Sequence, residues 1–105
     1  MIKESFLSAY KEQLTDLCQQ YGVLRMYAFG SIIREDFDQQ KSDVDLLVEL
    51  PDELLPERKG DIYFKLLFEL EKLFNRKVDL LLSQPFRNPY FARAIEQSKE
   101  LVYAA

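Results

Sequence analysis

Histidine is absent from the 105 residues, and cysteine occurs once, as Cys18. Without histidine the chain cannot use Ser-His-Asp or Cys-His catalysis, a histidine general base or a histidine-ligated metal. A single cysteine excludes an internal disulfide and a cysteine zinc site, so we expect Cys18 to be an inert core residue. Carboxylates, hydroxyls and basic side chains must therefore carry any chemistry.

Positive charge is also scarce. The chain has 14 Lys and Arg residues and 18 Asp and Glu residues, which gives a net charge of −4. Sequence-independent nucleic-acid binding relies on cationic side chains that face phosphates, so we expect no direct nucleic-acid partner. No apolar run is long enough to cross a membrane, and the amphipathic start of the chain does not fit a signal peptide. These absences predict a soluble, cytoplasmic protein without a membrane partner.

The chain does carry enough apolar material for a core, since 48% of its residues are hydrophobic and 13% are aromatic. This length predicts one domain that covers residues 1–105. Helical periodicity predicts three long helices, over residues 2–21, 61–74 and 89–98. Short apolar runs predict strands over residues 23–29, 43–50 and 77–82, and a short edge strand over 101–103. With a brief helix after the first strand, this order predicts an α/β (α+β) domain with one small mixed sheet flanked by helices.

The segment from residue 27 to residue 50 holds the most informative pattern. Asp43 and Asp45 are two apart, so on an extended strand both carboxylates point to the same face. Neighbouring carboxylates repel each other, and a hard divalent metal is the usual cation that neutralises them. Gly30 lets backbone N–H groups approach a ligand closely, and a helix that starts at Ser31 would present its positive end. Phosphate on one side and metal on the other suit phosphoryl or nucleotidyl transfer.

Asp79 is the third acidic candidate. It stands between the apolar residues Val78 and Leu80 in the third predicted strand, where a buried, unpaired charge would be very costly. We therefore expect Asp79 to share a metal with Asp43 and Asp45.

Arg34 is a candidate phosphate ligand, because it lies one helical turn after Ser31. Plainer roles remain open for every candidate. Asp43 and Asp45 would be polar residues at a strand entrance, and Arg34 a solvated surface residue. Gly30 and Ser31 would form an ordinary turn, and Asp79 would pair with Arg76 or Lys77.

The chain resembles the nucleotidyltransferase superfamily in four segments that occur in the family order: FGSIIREDF, SDVDLLVEL, RKVDLL and NPYFARAIEQSKELVYAA. More narrowly, it resembles the minimal nucleotidyltransferases (MNT), the small partners of helical HEPN proteins in prokaryotic two-gene modules. The resemblance covers nearly the whole chain and implies the nucleotidyltransferase fold. One departure is the spacing of eleven residues between Ser31 and Asp43, one more than is usual in the family. This departure implies a longer loop or a shifted metal site.

The resemblance implies an enzyme that transfers AMP from its substrate ATP to a hydroxyl group and releases pyrophosphate. Asp43, Asp45 and Asp79 would be catalytic and would hold one or two Mg²⁺ ions. The residues that would bind the nucleotide phosphates are Gly30, Ser31 and Arg34. The acceptor would be a tyrosine of a HEPN toxin that cleaves RNA, which makes this chain the antitoxin of a type VII-like toxin–antitoxin module.

Two other functions stay open from the sequence. The chain could be a non-catalytic antitoxin that neutralises its helical partner by binding, or a small-molecule nucleotidyltransferase. Small-molecule nucleotidyltransferases usually carry extra domains that hold the acceptor. A chain of 105 residues would therefore need a second chain, in a homo- or hetero-oligomer, to supply the acceptor pocket. The second predicted helix also favours a partner, because its apolar residues extend beyond one narrow stripe.

Overall fold

The computed structural model of the chain describes residues 7–29, 43–83 and 87–105. Within these ranges the helices are α1 (Lys11–Tyr21), α2 (Pro56–Phe74) and α3 (Pro89–Ser98). The strands in the same ranges are β1 (Arg25–Phe29), β2 (Val44–Glu49), β3 (Val78–Leu82) and β4 (Glu100–Ala104). In this part of the chain, no helix is long and apolar enough to cross a membrane.

The four strands form one sheet in the order β3-β2-β1-β4. β1 is antiparallel to both β2 and β4, whereas β2 and β3 are parallel. The sheet is therefore small and mixed, as the sequence predicts. β3 and β4 are its two edges in the described residues, and β4 confirms the edge strand predicted over residues 101–103.

The main core lies between the sheet and the helices α1 and α2. Alternate residues of each strand face the same side, and on this side they are apolar. Each fully buried large aliphatic side chain contributes about 1.5–3 kcal/mol to folding. The main contributors come from α1, α2 and the three strands β1, β2 and β3: Leu14, Cys18, Met26, Ala28, Leu46, Val48, Leu66, Leu70 and Leu80.

The opposite face of the sheet carries α3. Lys99, which follows α3, lies with its Nζ atom 4.2 Å from the centre of the Tyr27 ring on β1. Ile95 of α3 and Leu47 of β2 are buried, but both lie outside the main core cluster. Helices therefore lie on both faces of the sheet, with α3 covering the second face only in part, and Asp45 lies on the face of Leu47.

Cys18 is fully buried in the main core, which confirms the structural role predicted for it. Burial raises the pKa of its thiol to about 12, because the charged thiolate loses its hydration there. The group therefore stays protonated at neutral pH, as suits a core residue.

Two of the predicted helix ends are confirmed by left-handed backbone conformations. Gly22 ends α1 with φ 70°, and Asn75 ends α2 with φ 53°. Glycine and asparagine are the residues that tolerate this conformation best.

The predicted start of α2 is wrong. The sequence predicts a helix over residues 61–74, but α2 begins at Pro56, with Leu55 as the extended N-cap residue. Proline suits this first position because its φ angle is preset and its missing N–H is not needed there. Asp61 lies inside the helix and pairs with Lys65 over 3.1 Å.

The first predicted helix, over residues 2–21, is interrupted within the described part, because Leu7 and Ser8 are helical but residues 9–10 form a turn. Residues 1–6 lie outside the described part. α1 begins at Lys11, and Tyr10 has non-helical backbone angles. The Tyr10 ring packs edge-on against Phe74 at the end of α2, with 4.9 Å between the ring centres. This tertiary contact lies where the regular helix begins, and no periodicity in the sequence reveals it.

Candidate active site

Asp45 and Asp79 are direct partners in the parallel pairing of β2 with β3. Partners in register project to the same face of a sheet, and neighbouring strands lie about 4.8 Å apart. The side chain of Asp45 is half-buried, while that of Asp79 is 49% exposed. Strand pairing therefore places two carboxylates side by side on the face that α3 partly covers.

Asp43 precedes β2 by one residue and is also half-buried. Strand pairing starts at its neighbour Val44, whose N–H donates to the carbonyl of Lys77 over 3.2 Å. Asp43 and Asp45 are thus at the same end of the sheet as Asp79, at the start of the two parallel strands. Among the described residues, however, no group of three or more His, Cys, Asp or Glu side chains is arranged to hold a metal ion.

The expected burial of Asp79 is wrong. Because β3 is an edge strand, the Asp79 carboxylate reaches solvent, and the cost of a buried charge does not arise. Its Oδ1 atom lies 4.0 Å from Nζ of the exposed Lys77, so the predicted alternative pairing with Lys77 exists as a long surface contact. Such exposed pairs contribute little to stability. The partnership with Asp45, rather than burial, is what distinguishes Asp79.

A groove of about 550 Å³ runs beside this pair of aspartates along β3. Ligand pockets typically have volumes of roughly 300–1,000 Å³. Its polar lining comes from Asp45, Asp79, Lys77, Tyr63 and Glu71. The rings of Phe29 and Phe91 are part of its apolar lining. Carboxylates, a cation and aromatic rings together suit a charged ligand with a planar or apolar part.

The three predicted phosphate ligands lie outside the described residues: Gly30, Ser31 and Arg34. β1 ends at Phe29, which is the register partner of Asp45. Phe29, the last described residue before this segment, therefore lies next to Asp45 in the sheet. Their role in phosphate binding stays a prediction.

Tyr63 and Glu71 line the groove, although their sequence context does not mark them as site residues. Together with Leu67 they form a stripe on α2 at intervals of four residues. The sequence identifies Tyr63 and Leu67 as apolar stripe residues, and Glu71 continues that stripe. A glutamate on an otherwise apolar stripe is the sequence signal that could have indicated Glu71 as a site residue.

Comparisons with known proteins give consistent matches. A model described as nucleotidyltransferase domain matches residues 10–102. The candidate protein adenylyltransferase MJ1379 of Methanocaldococcus jannaschii is 34% identical over 102 residues, which cover 97% of this chain and 93% of that protein. A solved structure of a candidate minimal nucleotidyltransferase is 25% identical, with a TM-score of 0.65 and 95% of each chain covered.

A further solved structure is a complex from Shewanella oneidensis, between a tri-AMPylated HEPN toxin and its MNT antitoxin. It matches with a TM-score of 0.64 at 16% identity, over 94% of this chain and 73% of that chain. At this identity the likeness concerns the fold alone.

Proposed function

Because this chain belongs to the nucleotidyltransferase domain family, we propose that it transfers AMP from ATP to a hydroxyl group of a partner protein in a Mg²⁺-dependent reaction. Family membership confirms that the chain is a nucleotidyltransferase, and the predicted fold is confirmed as well. The observation that carries the proposal is the register pairing of Asp45 with Asp79 beside an open groove. It supports a site for a divalent cation and the triphosphate that the cation would accompany.

The carboxylates fit Mg²⁺ by the chemistry of their donors. Mg²⁺ takes hard oxygen ligands and is usually held by one or two carboxylates together with water and substrate phosphates. Asp45 and Asp79 supply two carboxylates side by side, and Asp43 supplies a third at the same end of the sheet. Because water and phosphate oxygens complete the coordination of Mg²⁺, binding does not require three carboxylates that are already clustered before the cation arrives. When bound, the cation would neutralise phosphate charge at the α-phosphorus.

The transfer would be an in-line displacement. The acceptor oxygen bonds to the α-phosphorus of ATP while the bond from this phosphorus to the pyrophosphate oxygen breaks. Asp79 takes the proton of the acceptor hydroxyl, a role that suits its exposure to solvent at the sheet edge. Asp43 and Asp45 would hold the cation, which would supply positive charge at the phosphates, and Ser31 would bind the leaving pyrophosphate. Positioning and electrostatics then account for most of the rate.

For the acceptor, we propose a tyrosine of a HEPN-type helical toxin. The Shewanella oneidensis complex with a shared fold contains an AMPylated HEPN toxin, and the M. jannaschii relative carries the name of a protein adenylyltransferase. Asp79 at the exposed edge leaves its carboxylate open to a side chain of another protein. The chain would thus be the antitoxin of a type VII-like module.

The test is to incubate the chain with ATP, Mg²⁺ and a helical HEPN-type protein chosen from the neighbouring genes, and to measure the intact mass of that protein. We expect a gain of one or more AMP groups, located on tyrosine by fragmentation. An unmodified partner in a tight complex would favour neutralisation by binding alone. Modification of a small molecule instead would point to the third function.

ATP binding is predicted to require a divalent cation. The triphosphate cannot approach the Asp45 and Asp79 carboxylates without positive charge between them. Calorimetry should detect binding with Mg²⁺ or Mn²⁺ and lose it in EDTA. Complex formation with the helical partner in EDTA serves as the control for an intact fold. Equally tight ATP binding without metal would contradict this site.

The outer face of α2 is predicted to contact the helical partner. Phe64 and Phe68 lie one turn apart and are 68% and 65% exposed, although Leu66 between them is buried. We expect the double substitution Phe64→Ser and Phe68→Ser to weaken the complex by about tenfold or more, as for aromatic hot spots. Calorimetric titration of the partner measures this.

Leu101→Ser is the matched control, because Leu101 is 59% exposed on the edge strand β4. It should bind the partner with the affinity of the wild type. If the phenylalanine variant also binds normally, and the isolated wild-type chain is a monomer that binds no hydrophobic dye, α2 is not the interface.

A further inference from the structure

On the outer edge of β3, the backbone N–H and C=O groups of the residues next to Asp79 point away from β2. β3 pairs with β2 on one side only in the described residues. On that side the Lys77 carbonyl and the Ser83 N–H are used, with bonds of 3.2 and 2.8 Å to β2. Backbone groups alternate along a strand, so those of Val78 and Leu80 point to the outer side. Polar backbone groups at such a place need partners if the strand is to stay in position.

Two side chains of α2 supply such partners. The N–H of Val78 donates to Oε2 of Glu71 over 3.2 Å, and the Tyr63 hydroxyl donates to the Leu80 carbonyl over 2.6 Å. Both contacts are partly buried. Val78 and Leu80 are the two neighbours of Asp79, so α2 holds the strand on both sides of this aspartate.

We propose that Tyr63 and Glu71 are positioning residues that keep Asp79 in register with Asp45. This inference rests on the proposed function, because the register matters for the metal and for proton transfer. An edge strand paired on one side twists and frays more readily than a central strand. Displacements of about 1 Å in a catalytic group can cost roughly a hundredfold in rate. The two hydrogen bonds from α2 oppose such displacements.

Glu71 acts through the backbone and is not a further metal ligand. Asp79 points to the sheet face opposite to that of Val78 and Leu80, and α2 packs on the latter face. Although both side chains line the groove, the Glu71 carboxylate and that of Asp79 approach it from opposite faces of β3. In the described ranges, Glu71 also joins no acidic group arranged for metal binding.

The test compares Tyr63→Phe, Glu71→Ala and Glu71→Gln with the wild-type chain. Tyr63→Phe removes only a hydroxyl, so it preserves the packing of the ring. Glu71→Gln removes the charge but keeps an oxygen that accepts the Val78 N–H. The controls are Tyr21→Phe and Glu69→Ala, a partly buried tyrosine on α1 and a partly buried glutamate on α2. Mn²⁺ affinity is measured by calorimetry, and AMP transfer is measured at saturating ATP.

We expect Tyr63→Phe to weaken Mn²⁺ binding and to slow transfer by about fivefold, the scale of one hydrogen bond. Glu71→Ala should lower both by about tenfold, because a bond to a charged acceptor is stronger. Glu71→Gln should recover most of the wild-type affinity and rate. Faster hydrogen exchange at the Val78 amide in Glu71→Ala, and not in the controls, would report the loosened strand directly.

Several results would overturn the inference. If Tyr63→Phe and Glu71→Ala bind Mn²⁺ and transfer AMP like the wild type, the two residues only stabilise the fold. If Glu71→Gln is as defective as Glu71→Ala, the charge of Glu71 acts on the metal and the positioning role is wrong. If the wild type itself neither binds Mn²⁺ nor transfers AMP, the proposed function fails, and this inference fails with it.

Discussion

Asp79→Asn is expected to slow AMP transfer by roughly a hundredfold or more, the usual scale for loss of a general base. Mg²⁺-ATP binding should weaken only modestly, because Asp43 and Asp45 remain. Asparagine keeps the size of the side chain and can still form hydrogen bonds, but it cannot take the proton of the acceptor hydroxyl. Single-turnover transfer and calorimetry of Mg²⁺-ATP binding separate the two effects.

Asp52→Asn is the matched control, since Asp52 is an exposed aspartate shortly after β2, at the far end of that strand from the site. It should transfer AMP at the wild-type rate. A different outcome for Asp79→Asn would assign the residue another role. If the variant keeps the full transfer rate but melts at a lower temperature, Asp79 is a structural partner of Lys77. The general base would then belong to the partner protein.

The double substitution Asp43→Asn and Asp45→Asn is expected to reduce transfer by roughly a thousandfold or more and to remove the Mg²⁺ dependence of ATP binding. One carboxylate, Asp79, would remain at the sheet edge, which is too little to hold the cation against water. The fold should persist, because both side chains are only half-buried and their mutual repulsion is relieved. Circular dichroism and melting temperature measure the fold, and calorimetry measures the metal dependence.

Glu49→Gln provides the control on the same strand and the same face, at the end of β2 remote from the site. Glu49 pairs with the exposed Arg25 over 2.8 Å, so its loss should change stability little. The control should transfer AMP at the wild-type rate. If the double variant does not, the loss of transfer is specific to the aspartates at the start of β2. Undiminished transfer in the double variant would exclude these aspartates from the chemistry.

The partner prediction and the active-site predictions are independent in physical terms. Phe64 and Phe68 lie on the side of α2 that faces away from the sheet, whereas Asp45 and Asp79 lie beyond the sheet on its other face. The Phe64→Ser and Phe68→Ser double substitution should therefore reduce transfer to the protein partner by weakening its binding, and it should leave Mg²⁺-ATP affinity unchanged. Substitutions of the aspartates should reduce transfer without changing the affinity for the partner.

Local physics in the sequence determined most of the secondary structure. Apolar periodicity predicted the strands around Met26, Leu46 and Leu80, because each of these elements buries one face. Gly22 and Asn75 marked helix ends, since left-handed backbone is a property of single residues. Asp43 and Asp45 were predicted to share a face by strand alternation alone. The family resemblance then connected this pattern to nucleotidyl transfer.

Tertiary structure decided what depends on residues that are distant in the chain. The pairing of Asp45 with Asp79 follows from the register of two parallel strands that a long helix separates. Asp79 is exposed because β3 is an edge, which its apolar neighbours in sequence could not reveal. The contacts of Tyr63 and Glu71 with β3 likewise depend on how α2 packs against the sheet. Local periodicity specifies which face of an element is buried, whereas packing alone specifies which elements become neighbours.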